Sequence, residues 1–153
     1  MEKKRVKLVV AYDGTDYHGW QVQDNGITVA GELNRCLTDL LQEKIEVMGA
    51  SRTDAGVHAL GNVAVFDTTS RMPADKISYA LNQRLPEAIR IQASSQVAPD
   101  WHPRYCHSRK TYEYRIYRAP FPMPTRRRST HFTYHDLDVG RMQEAAAYLE
   151  GEH

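Results

Sequence analysis

The segment Gly49-Ala50-Ser51-Arg52-Thr53-Asp54-Ala55-Gly56-Val57-His58-Ala59 gathers an arginine, a hydroxyl, a carboxylate and an imidazole within seven residues of one another. A glycine at 56 frees the backbone to turn or to approach a ligand closely, and such loops commonly carry function. If the segment is extended, Arg52 and Asp54 share a side at i, i+2. The guanidinium then either holds the carboxylate ionised or reaches a phosphate. The plain reading of the same residues is a hairpin-like connection with surface charges. A metal centre built on Asp54 and His58 is not expected, because no CxxC or HxxxH partner accompanies them.

A second region has a different chemistry. Residues 1–100 are nearly balanced, with 11 Lys/Arg against 13 Asp/Glu. From His102 to His131 eight basic residues (Arg104, Arg109, Lys110, Arg115, Arg118, Arg126, Arg127, Arg128) face Glu113 alone. Tyr105, Tyr112, Tyr114, Tyr117 and Phe121 lie among them. Basic side chains mixed with flat rings suit RNA, which offers phosphates and stacking bases. A solvated strand face and a basic loop tip have the same composition.

These residues need elements to place them. Val6–Tyr12 is β-rich and ends at Asp13-Gly14, a turn signal. A polar loop with Tyr17, His18 and Trp20 runs to Asn25. Thr28 is a suitable N-cap for a helix whose apolar stripe is Val29, Leu33, Cys36, Leu37, Leu40 and Leu41. Ile45–Met48 and Asn62–Phe66 read as strands on either side of the chemical loop. Pro73 lies just inside a second helix with Ile77, Ala80, Leu81 and Leu85, and Pro86 closes it. Ile89, Ile91 and Ala93 alternate with polar residues, which predicts a half-buried strand.

The order β-α-β-β-α-β is that of the split βαβ, or ferredoxin-like, α+β unit. It is assigned to residues 1–98. Residues 99–153 read as a linker and the start of a second α+β half: a strand over Thr111–Arg118, an irregular Pro-rich loop from Ala119 to Thr130, and a helix capped by Asp138. A strand and helix appended to a finished unit would leave apolar surface uncovered, so a truncated chain is expected.

The 153 residues are 41% apolar and 25% charged, which excludes disordered, collagen-like and disulfide-stapled chains. No apolar run approaches the ~18 residues of a membrane span, and Leu8–Tyr12 is too short for a signal-peptide core. Two cysteines, Cys36 and Cys106, make neither a zinc site nor a disulfide framework, and they suggest a reduced, cytoplasmic setting.

Three segments together resemble one family. Ser51–Ala59 is similar to the RTDAGVHA motif of the tRNA pseudouridine synthase A family. Ala11-Tyr12-Asp13-Gly14-Thr15-Asp16-Tyr17-His18-Gly19-Trp20-Gln21 resembles its first strand and loop, and Arg109–Tyr117 resembles its Y-x-Y-x-I-Y strand. They occur in the family's order, and the resemblance covers essentially the whole chain. It implies a pseudouridine synthase fold of two similar halves and isomerisation of uridine to pseudouridine in the anticodon stem-loop, at positions 38 to 40 of the tRNA. It also implies a homodimer and no metal, nucleotide or redox cofactor.

By the same resemblance Asp54 is the catalytic aspartate and Tyr112 the active-site tyrosine, its ring stacking on the uracil. Arg52 is the candidate to fill the space of the flipped base. Thr53 and His58 are assigned to substrate binding, with His58 expected to shape the loop rather than to transfer protons. Arg104, Arg109 and Lys110 are assigned to RNA phosphates. Tyr17, His18, Trp20 and Gln21 suit either RNA or the core. The competing reading is a non-catalytic ferredoxin-like RNA-binding module. It lacks an RNP1-like run, and it gives no use to a carboxylate that repels phosphate.

Overall fold

The computed structural model of the chain describes residues 2–153. Two compact units make it up, one ending at Ser108 and the other spanning Arg109–His153. The boundary between units therefore falls later than the 98/99 division expected from the sequence.

In the first unit the order is β1 (Lys4–Tyr12), α1 (Val29–Leu41), β2 (Met48–Gly49), β3 (Ala59–Thr68), α2 (Ala74–Asn82) and β4 (Ile89–Val97). The strands form one sheet in the order β2-β3-β1-β4, with every neighbouring pair antiparallel. This is the expected ferredoxin-like α+β arrangement.

Alternation along β1 decides which face is covered. Val6, Leu8, Val10 and Tyr12 are buried, while Arg5, Lys7, Val9 and Ala11 on the other face are only half-buried. Val29, Leu33, Cys36 and Leu37 of α1 pack onto that first face together with Ile77 and Leu81 of α2. Each fully buried Leu or Ile contributes roughly 1.5–3 kcal/mol by removal from water. Thr28 caps α1 as expected, its Oγ1 accepting the Gly31 N–H at 3.2 Å. Pro73 sits one place earlier than expected, as the N-cap of α2.

Ala93 does not lie on the buried face. The register slips between Val9 and Val10 in their pairing with β4, so Val9 faces Ala93 while Val10 faces Ile91. The extra residue reverses the alternation. Ser94 is buried instead, and its Oγ accepts the Ser78 N–H of α2 at 2.9 Å.

Trp101 lies against the opposite face. The Trp101 carbonyl accepts from Arg5 Nη1 at 3.0 Å, and Lys7 Nζ lies 5.8 Å from the centre of the Trp101 ring. Arg5 also forms a two-bond ion pair with Asp67 across the β1–β3 ladder, at 2.8 Å on each arm. That bond holds the Asp67 carboxyl below the usual carboxylate range, against the opposing effect of burial.

Glu43 ties the end of α1 to the end of β3. Its carboxylate accepts from the Thr68 hydroxyl, the Thr69 N–H and the Thr69 hydroxyl. Burial pushes its pKa up, but the donors prevail and the net shift is downward. The unfolded chain therefore binds the proton more readily than the folded one. Glu43→Ala should cost about 2 kcal/mol in urea unfolding at neutral pH, since it leaves a buried threonine hydroxyl short of a partner. The gap between variant and parent is constant above the ordinary glutamate range and closes as pH falls through the lowered folded value.

The second unit holds β5 (Ile116–Arg118), β6 (His131–Thr133) and α3 (Val139–Ala147). The strand expected over Thr111–Arg118 is shorter than its alternation suggested: only Ile116–Arg118 finds a partner, pairing in parallel with His131–Thr133. The Pro-rich connection, expected to be irregular, contains one 3-10 turn at Pro124–Arg126. Asp138 caps α3 as expected, accepting the Arg141 N–H at 3.0 Å. No residue of α3 is buried.

Candidate active site

The loop 50–58 joins β2 to β3 at the sheet edge, and its backbone is bonded at nearly every step. Ala50 donates to the Val63 carbonyl at 2.7 Å. Asn62, buried in β3, exchanges two bonds with Ser51: its Oδ1 accepts from Ser51 N at 3.3 Å and its Nδ2 donates to Ser51 O at 3.0 Å. The Thr53 carbonyl accepts from Trp20 N at 3.0 Å, and Gly56 N donates to the Tyr17 carbonyl at 3.3 Å. Val57 N closes a four-residue turn onto Asp54 O at 3.2 Å. Gly56, with φ +80°, takes the third place of that turn, where a left-handed residue is required. Its glycine thus serves the turn.

Side chains complete the clamp from the β1 end. Tyr12, the last buried residue of β1, places its hydroxyl 2.7 Å from Thr53 Oγ1. Gly14 N lies 3.0 Å from His58 Nδ1, which ties the loop to the residue two places beyond β1. Asp13 Oδ1 lies 3.2 Å from the same nitrogen. Trp20 is 1% exposed, and its indole fills the space beside Gly49, where an added Cβ would come within 2.5 Å of Nε1.

Asp54 stands exposed at the start of this turn. Arg52 is exposed as well, and no hydrogen bond or ion pair within 4 Å joins it to Asp54 among the described residues. Of the two uses offered for Arg52, the contact with Asp54 is not formed, and both residues are exposed. The backbone that carries this exposed carboxylate is held by bonds to β3, Tyr17 and Trp20.

The other assigned residues separate. The Thr53 hydroxyl is bonded to the Tyr12 hydroxyl, and the His58 ring meets the backbone of Gly14, two residues beyond β1. Tyr17 and Trp20 belong to the core, whereas His18 and Gln21 are exposed. Arg104 reaches the edge of the same region, its Nε donating to Gly49 O at 2.9 Å. Arg109, Lys110 and Tyr112 lie in the second unit, exposed and outside regular structure. No group of three or more His, Cys, Asp or Glu side chains suited to a metal occurs among the described residues.

Asn62, Tyr12 and Gly14 were not singled out as site residues. Asn62 had a readable signal, being a polar side chain in the same phase as buried Ala64 and Phe66. A buried amide of that kind needs partners, and the loop backbone supplies them.

A family model described as tRNA pseudouridine synthase matches residues 8–106, the stretch that contains the sheet, the clamp and the loop. Among curated proteins the chain is similar to tRNA pseudouridine synthase A of Acetivibrio thermocellus, 49% identical over 98% of this chain and 62% of the relative. The enzyme of the same name from Ruminiclostridium cellulolyticum is 45% identical over 98% of this chain and 61% of its own length. That of Brevibacillus brevis is 45% identical over 98% and 62%. The chain thus spans about three fifths of the length of the curated relatives it matches. With the loop 50–58 inside the matched region and relatives along nearly all its length, the chain belongs to the tRNA pseudouridine synthase family.

Proposed function

We propose that this chain is the part of a tRNA pseudouridine synthase that supplies the catalytic carboxylate, and that the intact protein isomerises uridine to pseudouridine in the anticodon stem-loop, at positions 38 to 40 of the tRNA. The observation that carries the reading is Asp54: its carboxylate is exposed and makes no hydrogen bond or ion pair among the described residues, on a loop whose backbone is bonded to β3 and to Tyr17 and Trp20. In the reaction C1′–N1 breaks, the uracil turns while bound, and C5 bonds to C1′. The proton on C5 is lost and N1 gains one, so nothing is added to the nucleoside.

Cationic character develops at C1′ as the glycosidic bond opens, and a carboxylate at that carbon stabilises it. The base must leave its stack first, and Arg52 is proposed to take the vacated space. Tyr112 is proposed to stack on the uracil. Arg104, Arg109 and Lys110 are proposed to neutralise RNA phosphates, as the basic balance of residues 102–131 suits. A homodimer, a cytoplasmic setting and a reaction without metal or redox cofactor complete the proposal.

The test uses a stem-loop RNA tritiated at C5 of its uridines. The intact protein should release tritium to water in step with pseudouridine formation read by nucleoside analysis. Binding without release would support the non-catalytic RNA-binding module instead.

A further inference from the structure

We propose that His18 is an RNA-binding residue, an aromatic platform on which a base beside the target nucleotide stacks. The inference rests on the synthase reading and adds a substrate contact to it. Residues 17–20 run along the catalytic loop, with Tyr17 bonded to Gly56 on one side of His18 and Trp20 bonded to Thr53 on the other. His18 is the exposed residue between two buried aromatics of that stretch.

Its backbone is fixed at both groups. His18 N donates to Ile27 O at 2.8 Å, and the Gln23 side chain donates to His18 O at 2.9 Å. The ring is also seated. An added Cβ on Gly26 would come within 2.4 Å of His18 Cγ and Nδ1, so the imidazole occupies the space that any other residue at 26 would fill. Gly26 has no positive φ to explain it. A glycine that serves neither a left-handed turn nor a close backbone approach is entropically costly, and here it makes room for one ring.

The ring gains little for the fold from this. It is exposed, and no other aromatic ring or ion pair engages it among the described residues. Restricting a side chain that remains in solvent costs entropy without burying surface. The arrangement has the form of a preset stacking surface, an exposed ring seated against Gly26 on a segment bonded to the loop on both sides of Asp54. RNA that has released a base from its stack offers the unpaired faces such a surface takes.

The experiment compares the intact protein with His18→Ala, His18→Phe and Gly26→Ala, measuring kcat and KM for tritium release from the stem-loop and the thermal midpoint of each. His18→Ala should raise KM about tenfold with kcat and the midpoint unchanged, the order of effect that loss of one base–aromatic stack produces. His18→Phe should keep KM within about twofold of the parent, because it retains the stack. Gly26→Ala should raise KM by turning the ring away, and the Gly26→Ala, His18→Ala double variant should be no worse than His18→Ala. An unchanged KM in His18→Ala overturns the proposal. So does a KM that rises only together with a lowered midpoint, and so does His18→Phe behaving like His18→Ala. Absence of tritium release from the parent protein would instead overturn the synthase reading.

Discussion

Asp54→Asn should reduce tritium release by at least about a thousandfold, while the thermal midpoint and stem-loop affinity stay at the parent's values. The substitution keeps the size and shape of the side chain and removes its charge. Nothing in the folded chain depends on that charge, since the carboxylate is exposed and accepts no hydrogen bond or ion pair among the described residues. Substitutions of that kind usually change stability by no more than about 0.5 kcal/mol. RNA binding should be unharmed or slightly improved, because a negative charge beside phosphates is repulsive. The fold, the loop and the bound complex are thus expected to survive, and the chemical step alone is expected to fail. Turnover near the parent's rate in Asp54→Asn would remove the carboxylate from the mechanism and with it the reading of the loop. A variant that fails to bind RNA would show that the loop's structure depends on Asp54 after all.

The parts of the fold legible in the sequence were those set by local rules. The apolar stripe of α1, its Thr28 cap and the β-rich run Val6–Tyr12 each depend on neighbouring residues, and each appears where the pattern placed it. Ala93 was misplaced because the extra residue in β4 is a property of the β1–β4 pairing, which no alternation within one strand reveals. The strand at Thr111 was drawn too long for a related reason. Residues 111–115 have strand-like alternation, but a strand also needs a partner, and only three residues of β6 provide one.

The site divides in the same way. The loop's residue types marked it as chemical before any coordinates. Of the supports beneath it only Asn62 has a signal in the sequence, because Tyr12 and Gly14 act through contacts 41 and 44 residues away. Thr53 illustrates the cost: read within the motif it suggested a ligand contact, yet its hydroxyl bonds Tyr12.

Those supports can be tested at one atom. Gly14→Ala should lower kcat/KM by about a hundredfold, with a stability loss of roughly 1–3 kcal/mol from forced overpacking. An added Cβ at position 14 would lie 2.0 Å from the Val57 carbonyl oxygen and 2.7 Å from its carbon, both backbone atoms that no rotamer change can move. Ordinary Cβ contacts begin above 3.0 Å, so the strand end and the loop must part by about 1 Å. The opening strains the bond from Gly14 N to His58 Nδ1 and tilts the turn that begins at Asp54. A carboxylate displaced by that distance from a reacting carbon loses about two orders of magnitude in rate. Gly56→Ala supplies the contrast. Its φ of +80° makes alanine unfavourable by about 1–2 kcal/mol, but nothing lies within 4 Å of the new methyl group. The two variants should therefore lose comparable stability, while Gly56→Ala keeps kcat/KM within about tenfold of the parent because no backbone is pushed aside. Equal activity losses would show that loop stability, and not the spacing between β1 and the loop, sets the rate. Parent-like turnover in Gly14→Ala would show that the clamp from β1 does not position Asp54.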